Sequence, residues 1–258
     1  MGRVIAISNQ KGGVGKTTTS VNLAASLSHY GKKVLLIDMD PQSSATTSLG
    51  INRSMLYSNI YEVLIGNKTI EETIVKLDKF KIDVVPATIE LANAEVKITH
   101  EDRNYVLYNK IKSIRNNYDY ILIDSPPSLG LLTLSALYAS NSVLIPVQCQ
   151  FLAIDGLTQL LNTIRIVQNN LKLVNRTFEI EGVLLTMLDR RTKAGWEIVH
   201  EIKSYFGEGV FDTIITSNVA AQVAPTYGVP ILNYQPSAPS AKLYKKLAKE
   251  IIDKNGRK

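Results

Sequence analysis

Continuous apolar runs recur along the chain, and helical patterns lie between most of them. The runs are rich in Val and Ile and have no polar side, which is typical of parallel strands covered by helices on both faces. The segments between them place apolar residues at helical spacing. Strands that alternate with helices predict a doubly wound, mostly parallel α/β sheet. The predicted strands are residues 4–7, 34–37, 82–85, 120–123, 143–145 and 182–185.

Helices are predicted at residues 17–30, 154–167, 198–206 and 243–252. Residues 52–115 are the least periodic part of the chain. We expect short helices there at about 60–65 and 90–98, and one longer helix from about residue 105. No internal repeat, low-complexity segment or Gly/Ser/Pro-rich linker divides the sequence. We therefore expect residues 1–258 to form one domain.

Composition excludes several classes of protein. The chain is 45% hydrophobic and 20% charged, which is ordinary for a soluble globular protein. No run reaches the roughly 18 apolar residues of a membrane span, and the first residues lead directly into a strand pattern without a signal peptide. The single cysteine, Cys149, lies in an apolar run. A disulfide framework is therefore excluded, and a cytoplasmic location is expected.

A glycine-rich loop follows the first predicted strand and opens the first predicted helix. Its glycines let backbone N–H groups approach phosphates, and the helix N-terminus adds partial positive charge. Lys16 is expected to reach the β- and γ-phosphates of a nucleotide, and the Thr17 hydroxyl to ligate Mg²⁺. The predicted ATP-binding residues are Lys11, Gly12, Gly13, Val14, Gly15, Lys16, Thr17 and Thr18.

The loop departs from the usual pattern G-x-x-x-x-G-K-[ST], because Gln10 stands where the first glycine is expected and Lys11 follows it. The sequence Lys-Gly-Gly-x-Gly-Lys-Thr resembles the deviant Walker A motif of the ParA/MinD family. In that family the early lysine reaches across a nucleotide-sandwich dimer to the ATP of the partner. The resemblance therefore implies an ATP-dependent homodimer in which Lys11 stabilises charge on the transferred phosphoryl group, as an arginine finger does.

Carboxylates end two of the predicted strands. Asp38 and Asp40 are alternate residues after the second strand, so they can face one site at the edge where open α/β sheets bind ligands. Asp124 ends a run of four apolar residues, which is the Walker B layout, with the carboxylate near Mg²⁺. The resemblance implies that Asp40 positions or activates the hydrolytic water and that Asp38 supports the metal region. The predicted metal-site residues are Thr17, Asp38, Asp40 and Asp124, and the predicted catalytic residues are Lys11, Lys16 and Asp40.

The resemblance extends over almost the whole chain. Residues 38–42, 124–130, 146–150, 185–189 and 224–231 look like those of chromosomal ParA (Soj) proteins. This implies a P-loop NTPase fold and an ATP-bound dimer that coats double-stranded DNA without sequence preference. A ParB-like centromere-binding partner would then stimulate slow hydrolysis, and the ADP form would leave the DNA. The expected location is cytoplasmic and nucleoid-associated, without a membrane partner, and the cargo is a chromosome or a plasmid.

Positive charge is concentrated at the C-terminus, and the net charge of the chain is +6. A polyanion partner is consistent with this charge, although a solvated helix face is the alternative. Many relatives carry arginines at positions 217 and 220, where this chain has Ser217 and Ala220. Asn218 is retained and is the candidate contact to the base of ATP. The expected DNA-binding residues are Arg190, Arg191, Lys242, Lys245, Lys246 and Lys249.

Three other functions compete with this interpretation. A MinD-like ATPase that positions proteins on a membrane or a protein scaffold is the nearest, but residues 253–258 contain no Phe, Trp or Leu to insert into lipid. A nitrogenase-reductase-like electron carrier needs cysteine ligands that Cys149 alone cannot supply. The third alternative is a module that senses nucleotide without hydrolysing it, in which Asp40 would have no catalytic role.

Overall fold

The computed structural model describes residues 2–150 and 157–256, and its centre is a seven-stranded sheet. The strand order is β3-β4-β2-β5-β1-β6-β7, in which β3 runs antiparallel to β4 and the other pairings are parallel. This confirms the predicted α/β fold class. The strands are β1 (Arg3–Ile7), β2 (Val34–Asp38), β3 (Val75–Leu77), β4 (Ile82–Val85), β5 (Tyr120–Asp124), β6 (Ser142–Gln148) and β7 (Glu179–Thr186).

Helices connect most of the parallel strands. Within the described residues, none has both the length and the hydropathy that are needed to cross a membrane. The helices are α1 (Lys16–His29), α2 (Ser44–Ser48), α3 (Ile60–Ile65), α4 (Ala94–Lys97), α5 (Val106–Ile111), α6 (Leu131–Ala139), α7 (Thr158–Leu173), α8 (Lys193–Phe206), α9 (Val219–Val223), α10 (Ile231–Tyr234) and α11 (Pro239–Gly256).

Side chains alternate between two apolar layers along each strand. In β1, Ile5 and Ile7 pack with α1 and α11 on one face. Val4 and Ala6 point to the opposite face, where α3, α5 and α6 cover one part of the sheet and α7 and α8 cover another. Both faces are therefore buried, which explains why the strands appear in the sequence as continuous apolar runs.

The least periodic region differs most from its prediction. The edge strand β3 was not predicted, because three residues are too few to show a period. The longer helix expected from about residue 105 is only the six residues Val106–Ile111, and the helix expected at 90–98 is a 3-10 segment that continues into α4. The first residues of the helix predicted at 154–167 lie outside the described residues.

Candidate functional site

The glycine-rich loop joins β1 to α1 at the carboxyl edge of the sheet. Gly13 and Gly15 have φ angles of 75° and 90°, a left-handed conformation that glycine adopts without strain. A Cβ atom at Gly12 or Gly13 would meet nothing within 4 Å. The loop backbone is therefore open to the exterior, where a phosphate can approach its N–H groups.

Hydrogen bonds hold this loop from behind. The Thr186 hydroxyl donates to the Val14 carbonyl oxygen at 2.9 Å, and Lys16 Nζ donates to the Lys11 carbonyl oxygen at 3.1 Å. The Asn9 side-chain oxygen accepts from the Lys11 backbone N–H at 3.0 Å. These contacts fix the loop before any ligand arrives, and they leave the Lys11 side chain exposed.

Asp124 lies beneath the loop and is fully buried. Its Oδ2 atom accepts from the Thr17 hydroxyl at 2.7 Å, and its Oδ1 atom accepts from the Ser20 hydroxyl at 2.8 Å. Ser20 lies three residues after Thr17, so one face of α1 supplies both donors. The contact between Thr17 and Asp124 brings together two of the residues that the sequence predicted for the metal site.

Asp38 and Asp40 occupy different environments. Asp38 is 0% exposed, and its oxygens accept from the backbone N–H groups of Asp40 and Thr46 and from the Thr46 hydroxyl. Asp40 lines the cleft in front of the loop, and its Oδ1 atom accepts from the Gln42 backbone N–H at 2.9 Å. The structure therefore brings Asp40 to the cleft and directs Asp38 toward protein donors.

Burial perturbs the ionisation of this site. Burial lowers the pKa of Lys16, while Asp124 and Asp40 act in the opposite direction. Burial raises the pKa of Asp124, and the charge of Asp38 adds to that effect. Burial also raises the pKa of Asp38, against the hydrogen bonds from Thr46. Because burial disfavours the charged forms of Asp38 and Asp124, a cation bound beside them would stabilise them as carboxylates.

The cleft has the size and donor chemistry for a nucleotide with Mg²⁺. Its volume is about 360 Å³. A hydroxyl and a carboxylate, from Thr17 and Asp124, are the oxygen donors that Mg²⁺ prefers. Nowhere in the described part of the chain do three His, Cys, Asp or Glu side chains form a group that could hold a metal. Thr17 and Asp124 are in hydrogen-bond contact at the loop and supply oxygen donors of the kind that Mg²⁺ prefers.

The other predicted binding residues lie away from this centre. Asn218 precedes α9, and its side-chain oxygen accepts from the Ala220 backbone N–H at 3.0 Å. It does not belong to the described lining of the cleft. Arg190 and Arg191 are exposed before α8. Arg191 donates two hydrogen bonds to Asp189, which lower the pKa of that carboxyl to about 2.

The four lysines expected to bind DNA lie on α11. Lys242, Lys246 and Lys249 are exposed, and Lys245 is half-buried. Buried apolar residues of α11 pack on the opposite side of the helix, among them Leu247 and Ile251. The helix therefore presents a cationic face away from the core. Arg257 and Lys258, which add to the C-terminal charge, lie outside the described residues.

Sequence reasoning missed several residues of the cleft and its support. Ser20 could have been found from its helical spacing to Thr17. Thr46 gives no comparable signal, because it is eight residues from Asp38 and on a different element. Met187 adopts a φ angle of 54°, and its methyl group would lie 3.6 Å from a Cβ atom at Gly15. The remaining unpredicted residues that line the cleft are Gln42, Ser44, Ser48 and Pro127.

Known proteins resemble this chain over most of its length. A family model described as an AAA domain matches residues 2–180. The sporulation initiation inhibitor protein Soj of Bacillus subtilis is 50% identical over 97% of this chain and 98% of its own length. The chromosome partitioning protein ParA of Myxococcus xanthus is 43% identical over 99% of this chain and 89% of its own length.

Solved structures share the fold of this chain and part of its sequence. Cobyrinic acid a,c-diamide synthase from Mycobacterium smegmatis, with a bound ATP analog and magnesium, gives a TM-score of 0.83 at 33% identity over 96% of this chain and 93% of that chain. A putative plasmid partition protein from Borrelia burgdorferi, bound to AMPPNP, gives a TM-score of 0.81 at 26% identity over 98% of this chain and 100% of that chain.

Proposed function

The chain belongs to the ParA/Soj family of chromosome-partitioning ATPases, and we propose that it works as an ATP-dependent switch on DNA. In this proposal residues 1–258 form one ATPase domain that binds ATP and Mg²⁺ and dimerises around the nucleotide. The dimer binds double-stranded DNA without sequence preference and leaves it after hydrolysis. The contact of Thr17 with Asp124 beneath an open glycine loop, in a cleft lined by Asp40, carries the proposal.

The glycine loop supplies the binding step. Backbone N–H groups from Gly12 to Thr18 cradle the phosphates, and Lys16 adds positive charge beneath them. Thr17 and Asp124 hold Mg²⁺, which when bound neutralises charge on the phosphate oxygens. Because the loop is already fixed by Thr186 and Asn9, little conformational entropy is lost when the nucleotide binds.

Hydrolysis requires an oriented water and stabilisation of the transferred phosphoryl group. Asp40 lies in the cleft and orients the attacking water. Lys11 is exposed at the rim of the loop, so the Lys11 of a second copy of the chain can reach the nucleotide across a dimer interface. A catalytic group that arrives only with the second copy makes turnover slow in the free protein and dependent on assembly.

The DNA-binding role rests on exposed cations. Lys242, Lys246 and Lys249 are exposed on α11, while Arg190 and Arg191 are exposed in the loop between the carboxyl end of β7 and α8. Each cation that contacts a phosphate releases counterions, which gives affinity without base readout. The lysines of α11 would compensate for the arginines that Ser217 and Ala220 replace.

A ParB-like centromere-binding protein is the proposed partner that stimulates hydrolysis. The names of two relatives support a partitioning role, since they are chromosome partitioning proteins and match this chain at 42–43% identity. The proposed location is the cytoplasm, on the nucleoid. The proposed cargo is a chromosome or a plasmid, since relatives named for chromosome partitioning match this chain at 42–43% identity and a protein named for plasmid partition matches it at 26%.

Co-sedimentation with DNA tests this function directly. Wild-type protein should pellet with non-specific double-stranded DNA in the presence of ATP and Mg²⁺, and should remain in solution with ADP or without nucleotide. Lys16→Ala should stay in solution in all three conditions, because the phosphates lose their buried cation. Binding that is the same with ATP, with ADP and without nucleotide would contradict the proposed switch.

A further inference from the structure

The loop that carries Asp40 is tied to its surroundings at both ends. At the β2 end, Asp38 Oδ1 accepts from the Asp40 backbone N–H at 3.1 Å. At the α2 end, Asp38 Oδ2 accepts from the Thr46 backbone N–H at 2.8 Å and from the Thr46 hydroxyl at 2.7 Å. One buried carboxylate thus closes the loop between residues 40 and 46.

Thr46 also ties this loop to the next strand of the sheet. Its hydroxyl oxygen accepts from the Ala87 backbone N–H at 2.9 Å, just beyond the end of β4. Thr46 is 0% exposed, so both hydrogen bonds lie in a low-dielectric environment where an unpaired partner is costly. A single hydroxyl therefore connects the carboxylate of β2, the first turns of α2 and the segment after β4.

We propose that Thr46 is the positioning residue of the hydrolytic loop and that it acts on Asp40 through Asp38. The inference rests on the proposed ATPase function. Thr46 does not line the cleft, whereas Gln42, Ser44 and Ser48 on either side of it do. The hydroxyl sets where Asp40 stands relative to the glycine loop, and it leaves the loop that binds phosphate untouched.

This role also reassigns Asp38. Three donors from the protein occupy the Asp38 oxygens, whereas Asp124 receives its two hydrogen bonds from side-chain hydroxyls of α1. Asp38 is then a support for Asp40 and not a ligand of Mg²⁺. Loss of the Thr46 hydroxyl and loss of the Asp38 charge should therefore produce the same defect.

Steady-state phosphate release at varied ATP concentration, with Mg²⁺ and DNA present, tests the proposal. Thr46→Val has nearly the same shape as threonine but removes the hydroxyl, and we expect kcat to fall about 10- to 100-fold, with the KM for ATP within about twofold of wild type. Thr46→Ser restores the hydroxyl and should restore kcat. Thr47→Val is the matched control, because Thr47 is exposed on the same helix and bonds only to carbonyls of its own turn.

Asp38→Asn tests the same proposal independently, and it remains available as a test if Thr46→Val does not fold. It should lower kcat without changing the Mg²⁺ concentration at half-maximal rate, and combined with Thr46→Val it should add little further loss. The proposal would be overturned if kcat were unchanged in Thr46→Val or in Asp38→Asn. A rise in the KM for ATP as large as the fall in kcat would also overturn it, as would a shift of the Mg²⁺ dependence in Asp38→Asn. Wild-type protein that releases no phosphate would instead contradict the proposed function.

Discussion

Asp124, the proposed ligand of Mg²⁺, is fully buried. Thr17 and Ser20 donate hydrogen bonds to it, which favours the charged form. Burial outweighs these bonds and raises the pKa of Asp124 from 3.8 to about 7. In the protein without nucleotide, the carboxyl therefore carries a proton over a pH range in which an exposed aspartate has lost it.

The stability of the nucleotide-free protein should depend on pH through this residue. Because the folded-state pKa lies above the unfolded value, the folded state holds an extra proton between about pH 4 and pH 7. The free energy of unfolding should therefore fall as pH rises through this range and level off above it. Urea unfolding without Mg²⁺ should show a smaller decline in Asp124→Asn, and equal declines in both proteins would contradict the assignment.

The site residues that could be predicted from the sequence are those that lie next to a recognisable strand or loop pattern in the chain. The glycine loop and Asp124 each follow a buried strand directly, so the pattern of the strand also places the chemistry. Thr46 could not be found in this way, because its partners Asp38 and Ala87 become neighbours only when β2 and β4 pair. The hydrogen bonds of Asp38 to Thr46 were hidden for the same reason.

At the scale of the elements, the loop after α2 contacts the loop before α10, and each loop has a glycine at the point of contact. Gly228 precedes α10 and has a φ angle of 63°, and Gly50 follows α2 with a φ angle of 76°. A Cβ atom at Gly228 would lie 2.6 Å from the Gly50 Cα atom, which is backbone and cannot rotate away. This contact joins the helix that follows the hydrolytic loop to the segment that leads into α10.

Gly228→Ala should therefore be strongly destabilising. We expect a loss of about 3 kcal/mol, from the left-handed backbone together with the clash against Gly50. Gly31→Ala is the matched control, because Gly31 has a φ angle of 75° but a Cβ atom there meets nothing within 4 Å. Its loss should be about 1 kcal/mol. Equal losses in urea unfolding of the two variants would show that the loop contact contributes nothing.

Periodicity predicted most of the strands and the short helix α3 (Ile60–Ile65), but it failed at other short elements. Six of the seven strands of the sheet were predicted, because burial on both faces leaves an uninterrupted apolar run. The strand β3 was missed because an edge strand of three residues, with exposed Lys76 at its centre, resembles a loop. The helix α5 was predicted too long because the apolar pattern continues through Ile114, although the helix ends at Ile111.

At the scale of the whole molecule, the sheet separates two surfaces. The helices α1 and α11 cover one face, whereas α7 and α8 cover the other. For DNA binding, the position of the exposed cations on one face or the other is therefore more informative than the net charge of +6. The exposed lysines of α11 lie on the same face as α1, the helix that begins at the glycine loop, which places the proposed DNA-binding and nucleotide-binding elements in one layer.

Salt dependence should identify the lysines that contact DNA. Each phosphate contact contributes about 0.9 to the slope of log affinity against log salt concentration, so Lys246→Ala with Lys249→Ala should lower the slope of ATP-dependent binding by about 2. Lys172→Ala is the control, because Lys172 is also exposed but lies on α7, across the sheet. If the double variant keeps the wild-type slope, α11 does not contact the phosphates. A loss of slope in Lys172→Ala as well would indicate an effect of net charge alone.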